Sequence, residues 1–315
     1  MSTLICGSVA YDTIMVFQDQ FKRHILPDQI HMLSVSFLVP EMRREFGGCA
    51  GNIAYSLKLL GGDPLIMAAV GSDFGPYAQR LDNLGITRTH VRELPEQFTA
   101  QCFVTTDLDD NQIAAFHPGA MGLAHLNRLE QVEAPVELAI IGPDSKQAMV
   151  ERAEQLAAAG IPFIFDLGQA FPLFDGDELR RMIELATYLA ANDYEAEVIA
   201  SRTGLSLAEI AGQLKALIVT RGAEGAHIYA DGVVHDIPAV RAEAVVDPTG
   251  CGDAFRAGLL YGITQGWDWP STGRLSSLLG AMKIAQRGAQ NHQFTVESIS
   301  ADYQAAFGSP WPGQQ

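Results

Sequence analysis

The sequence predicts an α/β fold in which a central, mostly parallel β-sheet is flanked by helices and has a smaller β-sheet appended to it. From about residue 136 onward, short runs that are apolar nearly throughout alternate with stretches of helical spacing, a pattern typical of a parallel sheet covered on both faces. Two other patches, near 12–47 and 98–118, show the alternation of half-buried strands and predict the smaller sheet. The chain has 315 residues, of which 48% are hydrophobic and 18% are charged, as in globular proteins.

The N-terminal third begins with a predicted buried strand, the apolar run "TLICGS". Half-buried strands are predicted in "AYDTIMVF" and in "QIHMLSVSFLV", where polar and apolar residues alternate. The spacing becomes helical in "AGNIAYSLKLL", which ends at Gly61 and Gly62, and "PLIMAAVG" returns to a strand. The runs "AQCFVTTD" and "QIAAFHPG" flank an Asp-Asp-Asn turn at 109–111 and therefore predict a hairpin.

The rest of the chain alternates between strands and helices. Predicted strands are "VELAIIG", "IPFIFD", "TYLAAN", "ALIVT" and "AHIYA", with helices in "KQAMVERAEQLAAAG" and "DELRRMIELA" between the first three. Further helices are predicted from about 250 to 266 and in "RLSSLLGAMKIAQRG". Because there is no internal repeat and no interdomain linker, we expect one domain over 1–315, with the smaller sheet from about 12–47 and 98–118 inserted in it.

The charge balance and the cysteine usage disfavour several classes of protein. Lysine and arginine number 21 against 37 acidic residues, and the formal net charge of −16 disfavours nucleic acid as a partner, although a small anion needs only a local positive pocket. The four cysteines form no CxxC pair, so neither a zinc site nor a disulfide framework is predicted. With no run of ~18 apolar residues and no basic signal-peptide region, we expect a cytoplasmic protein that has no membrane partner.

The strongest chemical signal is the string "DPTGCGDAFRAGLLYG" at 247–262. Gly250, Cys251 and Gly252 are small and open an apolar helical run, so their backbone N–H groups can surround an anion at the positive end of the helix dipole. Asp253 lies in the first turn, where its carboxylate can accept a proton from a hydroxyl beside that anion. A bare TGxGD string would equally describe an ordinary capped helix, so the inference depends on the longer string.

That longer string resembles the C-terminal signature of the ribokinase-like (PfkB) carbohydrate and nucleoside kinases, and "FGGCAGNIAYSLKLLGG" resembles their N-terminal signature. The resemblance implies that Asp253 is the catalytic base that removes the proton of the acceptor hydroxyl. It also implies that Gly250, Cys251 and Gly252 stabilise charge on the γ-phosphoryl group of ATP, with Mg²⁺ as a further cofactor. No Walker A loop, protein-kinase string or dinucleotide fingerprint occurs, which argues against those classes.

The N-terminal motif and the residues before it suggest where the acceptor binds. Gly48 allows a tight bend against a ligand, and the Asn52 amide offers both a donor and an acceptor to a polyol. Read alone, the glycine breaks a strand and the asparagine caps a helix. The resemblance implies that both contact the acceptor, and that Asp12 binds ribose hydroxyls.

Two further strings resemble the nucleotide site of the same family. "ANDYEAE" places Asn192 and Glu195 like the family's N-x-x-E element, which implies that Glu195 organises the water shell of Mg²⁺ beside the phosphates. "VTRGAEG" places Thr220, Gly222 and Gly225 like a T-x-G-x-x-G loop that contacts ATP. Outside the family, these strings describe an ordinary helix start and an ordinary strand-to-strand turn.

The resemblance implies that the smaller sheet is a lid, and the lid and pocket strings look most like those of bacterial-type adenosine kinases. This resemblance implies an aromatic wall at Phe116 against a purine, with Gln169 as a further polar contact. A second aromatic residue usually helps to sandwich the base, but the alternation leaves open whether Phe103 or Cys102 faces it. The remaining contacts implied for the acceptor are Ser8, Asp12, Ser36, Gly48 and Asn52.

The sequence therefore predicts an ATP-dependent kinase that phosphorylates the ribose 5′-hydroxyl of adenosine. A ribokinase or another sugar kinase is the alternative within the family, and a nucleoside-binding regulator without activity is the alternative outside it. The resemblance also implies that K⁺, bound near Asp247, stimulates activity, that "RGAQNHQF" borders the adenine of ATP, and that the lid pairs in a homodimer.

Overall fold

A computed structural model of the protein describes residues 2–25, 34–109 and 111–312. Its strands are β1 (Ser2–Cys6), β2 (Ala10–Val16), β3 (Glu41–Gly47), β4 (Pro64–Gly71), β5 (Val91–Leu94), β6 (Ala100–Thr106), β7 (Gln112–His117), β8 (Val136–Ile141), β9 (Phe163–Asp166), β10 (Tyr188–Asn192), β11 (Ala216–Thr220), β12 (Ala226–Ala230) and β13 (Val233–Ile237). Its helices are α1 (Cys49–Leu59), α2 (Gly75–Asn83), α3 (Lys146–Ala158), α4 (Gly176–Leu185), α5 (Asp193–Thr203), α6 (Leu207–Ala211), α7 (Cys251–Thr264), α8 (Trp269–Ile284) and α9 (Val296–Phe307).

The central sheet has the strand order β13-β12-β11-β10-β9-β8-β1-β4-β5. All pairings from β11 to β5 are parallel, which confirms the predicted α/β architecture with a mostly parallel sheet. β12 and β13 are antiparallel, so the prediction that "AHIYA" belongs to the parallel part was wrong. The reason is that only residues 221–225 join β11 to β12, and a parallel crossover needs a dozen residues or more.

The smaller sheet has the strand order β3-β2-β6-β7 and is formed by the two patches that the alternation indicated. β6 and β7 form the predicted hairpin, whose turn residue Asp110 lies outside the described residues. Residues 34–39 form no strand, contrary to the prediction for "QIHMLSVSFLV", and 29–33 lie outside the described residues. The Phe37 ring packs 4.7 Å from that of Phe17, so this apolar residue makes a local aromatic contact.

Helices cover both faces of the central sheet. α1, α2 and α7 pack with side chains such as Ile5 and Ile140 on one face. α3, α4 and α5 pack with the alternate side chains, such as Leu4 and Ile141, on the other. Among the described residues, no helix is both long enough and apolar enough to cross a membrane.

The parallel strands bring their carboxyl ends to one edge of the sheet. Ser8 follows β1, Asp166 ends β9, Asn192 ends β10 and Thr220 ends β11. Ligands of open α/β sheets bind in the crevice outside these ends, so this edge is where a site is expected.

Candidate functional site

The N-terminus of α7 presents unpaired backbone donors. Gly250 precedes the helix in a left-handed conformation with φ of 80°, and a Cβ there would lie 2.7 Å from that of Ala289, so only glycine fits. The N–H of Cys251 donates to the carbonyl of Pro248 at 3.2 Å, whereas no acceptor in the described part of the chain lies against those of Gly250, Gly252 and Asp253. Of the three N–H groups predicted to bind the anion, those of Gly250 and Gly252 have no acceptor among the described residues, whereas that of Cys251 is already hydrogen-bonded. The N–H of Asp253 is a further available donor.

Asp253 and Asn52 meet although they are far apart in the sequence. The Asn52 side chain, 4% exposed, donates from Nδ2 to Oδ2 of Asp253 at 2.8 Å. Its Oδ1 accepts a hydrogen bond from Nε2 of Gln290 at 3.0 Å. Because both atoms of the Asn52 amide are engaged within the protein, the side chain orients the Asp253 carboxylate.

A chain of hydrogen bonds fixes which end of the Asn52 amide faces Asp253. Arg80 donates from Nε to Oε1 of Gln290 at 3.3 Å, which leaves Nε2 of Gln290 as the donor toward Asn52. The same Nε2 lies 2.6 Å from the hydroxyl of Tyr77, which in turn donates to the carbonyl of Gly47 at 2.9 Å. Since Arg80 has donors only, Nδ2 of Asn52 is directed at the Asp253 carboxylate.

The surroundings raise the pKa values of two carboxyl groups at this site. Burial raises the pKa of Asp253 to about 6, with the hydrogen bond from Asn52 opposing the shift and the charge of Asp166 adding to it. Burial raises the pKa of Asp12 to about 6 as well, supported by the charges of Asp247 and Glu45. At pH 7, Asp253 is thus mostly ionised but basic enough to accept a proton, as a general base requires.

A buried ion pair lies beside Asp253. Arg256, three residues further along α7, donates from Nε to Oδ2 of Asp166 at 3.0 Å, and both side chains are less than 9% exposed. The guanidinium group lowers the pKa of Asp253, and the Asp166 carboxylate raises it. The pair therefore tunes the carboxylate without contacting it through a hydrogen bond.

Asn192 and Glu195 form a capping box at the start of α5. Oδ1 of Asn192 accepts from the Glu195 N–H at 2.7 Å, and Oε2 of Glu195 accepts from the Asn192 N–H at 2.9 Å. This is the ordinary helix start that the string describes, and no hydrogen bond from the described residues reaches Oε1 of Glu195. In the described part of the chain no group of three acidic, His or Cys side chains is arranged to hold a metal ion.

The loop between β11 and β12 contains the predicted nucleotide-contacting residues. Thr220 ends β11, and its Oγ1 donates to the Ala191 carbonyl at 3.4 Å. Gly222 has φ of 54° and open space around its Cα, so a ligand can approach its backbone. Gly225 is buried, and a side chain there would collide with the Ile237 carbonyl, so this glycine serves the turn itself.

The N-terminal motif is held by its own backbone. Gly48 has φ of 83°, and a Cβ there would lie 2.6 Å from both the Ser8 carbonyl and the Ala10 N–H nitrogen. The Ser8 hydroxyl accepts from the Cys49 N–H at 3.1 Å and so helps to cap α1. Gly51 leaves room for the Tyr77 hydroxyl, a role that the sequence did not reveal. These residues bring the start of α1 to the Asp253 carboxylate.

The lid sheet resolves the register that the sequence left open. Asp12 pairs with Cys102 across β2 and β6, and Cys102 pairs with Phe116 across β6 and β7. Paired residues share a face of the sheet, so Asp12, Cys102 and Phe116 lie on one face and Phe103 lies on the other. Asp12 is in β2 itself rather than in a turn, and the Phe116 side chain is 53% exposed.

Two predicted contacts lie apart from this network. Ser36 is exposed in the segment before β3, and Gln169 is exposed after β9, neither with a recorded side-chain partner among the described residues. Sequence reasoning also missed the roles of five residues of the site: Tyr77, Arg80, Asp166, Arg256 and Gln290. Arg256 lies within the strongest motif, and its spacing from Asp253 could have indicated it. The others lie on separate elements, so only the fold brings them near.

Known proteins resemble this chain over most of its length. A model of pfkB family carbohydrate kinases matches residues 9–295. A nucleoside kinase of Methanothermobacter thermautotrophicus is 30% identical over 293 residues, which cover 89% of this chain and 92% of that protein. A nucleoside kinase of Methanocaldococcus jannaschii is 29% identical over 268 residues, with coverage of 84% and 88%.

Solved structures of other kinases also resemble this chain over most of its length. The nucleoside kinase of Burkholderia thailandensis in complex with inosine superposes with a TM-score of 0.89, at 56% identity and with 98% of this chain and 99% of that chain covered. The ribokinase of Thermotoga maritima has a TM-score of 0.81 at 19% identity, with 96% and 98% covered, and shows a similarity of fold alone.

Substitution of the two aspartates beside Arg256 is expected to affect stability differently. At pH 7 Asp253 is mostly ionised in the native protein although folding raises its pKa, which costs stability. Asp253→Asn removes that cost and should leave the free energy of unfolding unchanged or raise it. Asp166→Asn removes the partner of a buried guanidinium and should lower the free energy of unfolding by ~3–5 kcal/mol. Urea unfolding of both variants at pH 7 measures this. A marked loss of stability in Asp253→Asn would contradict the electrostatic account.

Proposed function

The chain belongs to the pfkB family of carbohydrate kinases, and we propose that within this family it is an ATP-dependent nucleoside kinase. The protein is a phosphotransferase that acts on a hydroxyl group. In the proposed reaction, the γ-phosphoryl group of ATP is transferred to the ribose 5′-hydroxyl of a purine nucleoside such as adenosine. The observation that carries the proposal is the Asp253 carboxylate, held by Asn52 beside the unpaired N–H groups of α7.

The transfer step follows from that arrangement. Asp253 accepts the proton of the 5′-hydroxyl as the oxygen attacks phosphorus, and a pKa of about 6 keeps it ready to do so at neutral pH. The N–H groups of Gly250, Gly252 and Asp253 stabilise the negative charge on the phosphoryl oxygens, aided by the dipole of α7. The protein thus supplies a base and an anion site next to each other.

The nucleotide side of the site uses the carboxyl ends of β10 and β11. When bound, ATP supplies the phosphoryl group and Mg²⁺ neutralises part of its charge. Glu195 would orient water around Mg²⁺ with the oxygen that the capping box leaves free, and Asn192 holds Glu195 in place. Thr220 and the accessible backbone of Gly222 would contact the nucleotide, while the buried Gly225 shapes the turn.

The acceptor would bind along Asp12, Cys102 and Phe116, which lie side by side on one face of the lid sheet. Neighbouring strands lie ~4.8 Å apart, so Asp12 and Phe116, two strands apart, are separated by roughly 10 Å. A nucleoside can reach both, with its ribose at the Asp12 carboxylate and its base on the Phe116 ring. The small Cys102 side chain between them leaves room for a flat base. Ser8 and Gly48 lie at the ribose end of this row.

A sugar kinase is the second candidate, since the family description itself names carbohydrate kinases. A free pentose is too short to contact Asp12 and Phe116 together, which favours a nucleoside. The inosine bound to the Burkholderia thailandensis protein makes inosine a second base to test beside adenosine.

The proposal is tested by ADP release with adenosine, inosine, ribose and fructose as acceptors. We expect kcat/KM to be highest for the purine nucleosides, with a 5′-monophosphate as the product. Asp253→Asn should lower kcat by ~10²–10⁴-fold without weakening nucleoside binding, because it removes only the proton acceptor. A higher kcat/KM for ribose or fructose would contradict the nucleoside assignment, and near-normal turnover by Asp253→Asn would contradict the assignment of the base.

The base pocket is tested by two phenylalanines on opposite faces of the same sheet. Phe116→Ala should raise the KM for adenosine roughly 5- to 150-fold, since stacking contributes ~1–3 kcal/mol per base. The matched control Phe103→Ala, 39% exposed in the native protein and on the other face, should leave KM unchanged. An equal effect of both variants, or none from Phe116→Ala, would exclude a base stacked on Phe116.

A further inference from the structure

Lys283 is a buried cation that the transfer step does not use. It lies near the end of α8 and its side chain is 0% exposed. Its ammonium group donates to the backbone carbonyl of Asp247 at 2.7 Å and to that of Gln286 at 2.9 Å. A fully buried lysine is rare and costly unless its charge is satisfied, so this position calls for a reason.

The ammonium group joins the two segments that shape the anion site. Asp247 begins the loop that leads to Gly250, and its carboxylate accepts from the N–H groups of Thr249 and Gly288, both at 2.9 Å. Gly250 packs against Ala289 so closely that a Cβ would not fit. Lys283 therefore connects the loop before α7 to the segment after α8. The position of that loop determines the direction of the available N–H groups at the start of α7.

The same carbonyl groups determine whether a K⁺ ion can bind at the site expected near Asp247. Backbone carbonyl oxygens are the ligands that a bound monovalent cation would need there. Two of them, those of Asp247 and Gln286, already accept hydrogen bonds from Lys283, which brings its own positive charge. The residues present do not fit a K⁺ ion at this position.

We propose that Lys283 takes the place of a bound monovalent cation, holding the anion site in position and making turnover independent of added K⁺. The proposal rests on the phosphotransfer function proposed above. Lys283 acts through the loop 247–250 and contacts no reacting atom, so it is a positioning residue. Its removal should lower kcat while leaving the KM for the nucleoside, which binds at the lid, nearly unchanged.

The first measurement uses the native enzyme in KCl and in choline chloride at equal ionic strength. We expect kcat and KM in the two salts to agree within about twofold, because the internal ammonium group is always present. Stimulation by K⁺ of severalfold or more would overturn the proposal while leaving the kinase assignment intact. An enzyme inactive toward every acceptor in both salts would instead refute the proposed function, and this inference with it.

The second measurement compares two replacements of the same lysine. Lys283→Ala removes the charge and leaves a space, so kcat in choline chloride should fall about tenfold or more and recover at least in part with K⁺ or NH₄⁺. Lys283→Met removes the charge but fills the space, so its loss should not recover. Lys215→Met, an exposed lysine remote from these loops, is the control and should behave as the native enzyme.

Thermal unfolding in each salt accompanies the assays, so that a folded but inactive variant is distinguished from an unfolded one. A folded Lys283→Ala variant with native turnover in choline chloride would overturn the proposal. If Lys283→Ala does not fold, the salt response of the native enzyme decides the question alone.

Discussion

The hydrogen bond between Asn52 and Asp253 is the interaction on which the rest of the site depends. It connects the first turns of α1 and α7, two helices on the same face of the central sheet. Each helix starts at a glycine with positive φ, Gly48 or Gly250, in a space that admits no side chain. The sheet brings the two helix starts together, and Gln290 fixes the direction of the bond that joins them.

Local positive groups explain how a protein with a net charge of −16 can bind phosphate. The positive groups near α7 are the ammonium group of Lys283, the guanidinium group of Arg256 and the unpaired N–H groups of the helix. Arg256 is paired with Asp166, so its charge is largely compensated, whereas Lys283 donates to two neutral carbonyl groups and interacts with the Asp247 and Asp253 carboxylates without a hydrogen bond. Positive groups therefore lie where phosphate is expected, while the carboxylates of Asp12 and Asp253 lie on the acceptor side and that of Asp247 offsets part of the Lys283 charge.

Much of this could be predicted from the sequence, because its strongest signals are local. The glycines and Asp253 lie within one short string. The alternation of apolar runs with helices predicted the α/β fold with a parallel sheet, and the resemblance of the two motifs implied that it is ribokinase-like, which the similar structure confirms. Partners from distant elements, such as Gln290 and Lys283, could not be found, because no local pattern specifies which loops will meet. Strand pairing determines which face of the lid carries Cys102. The register of β6 against β2 places Cys102 opposite Asp12, and this register cannot be predicted from the local sequence.

The central claim is that Asp253 is the base and that the hydrogen bond from Asn52 lowers its pKa against the effect of burial. It is tested most directly by the acidic limb of the pH dependence of kcat/KM, which reports ionisation in the free enzyme. In the native enzyme the limb should lie near pH 6. Since the hydrogen bond from Asn52 lowers the pKa of Asp253, Asn52→Ala should move the limb to higher pH, while Asn83→Ala, at an exposed asparagine, should not. A limb that stays in place in Asn52→Ala would contradict the account.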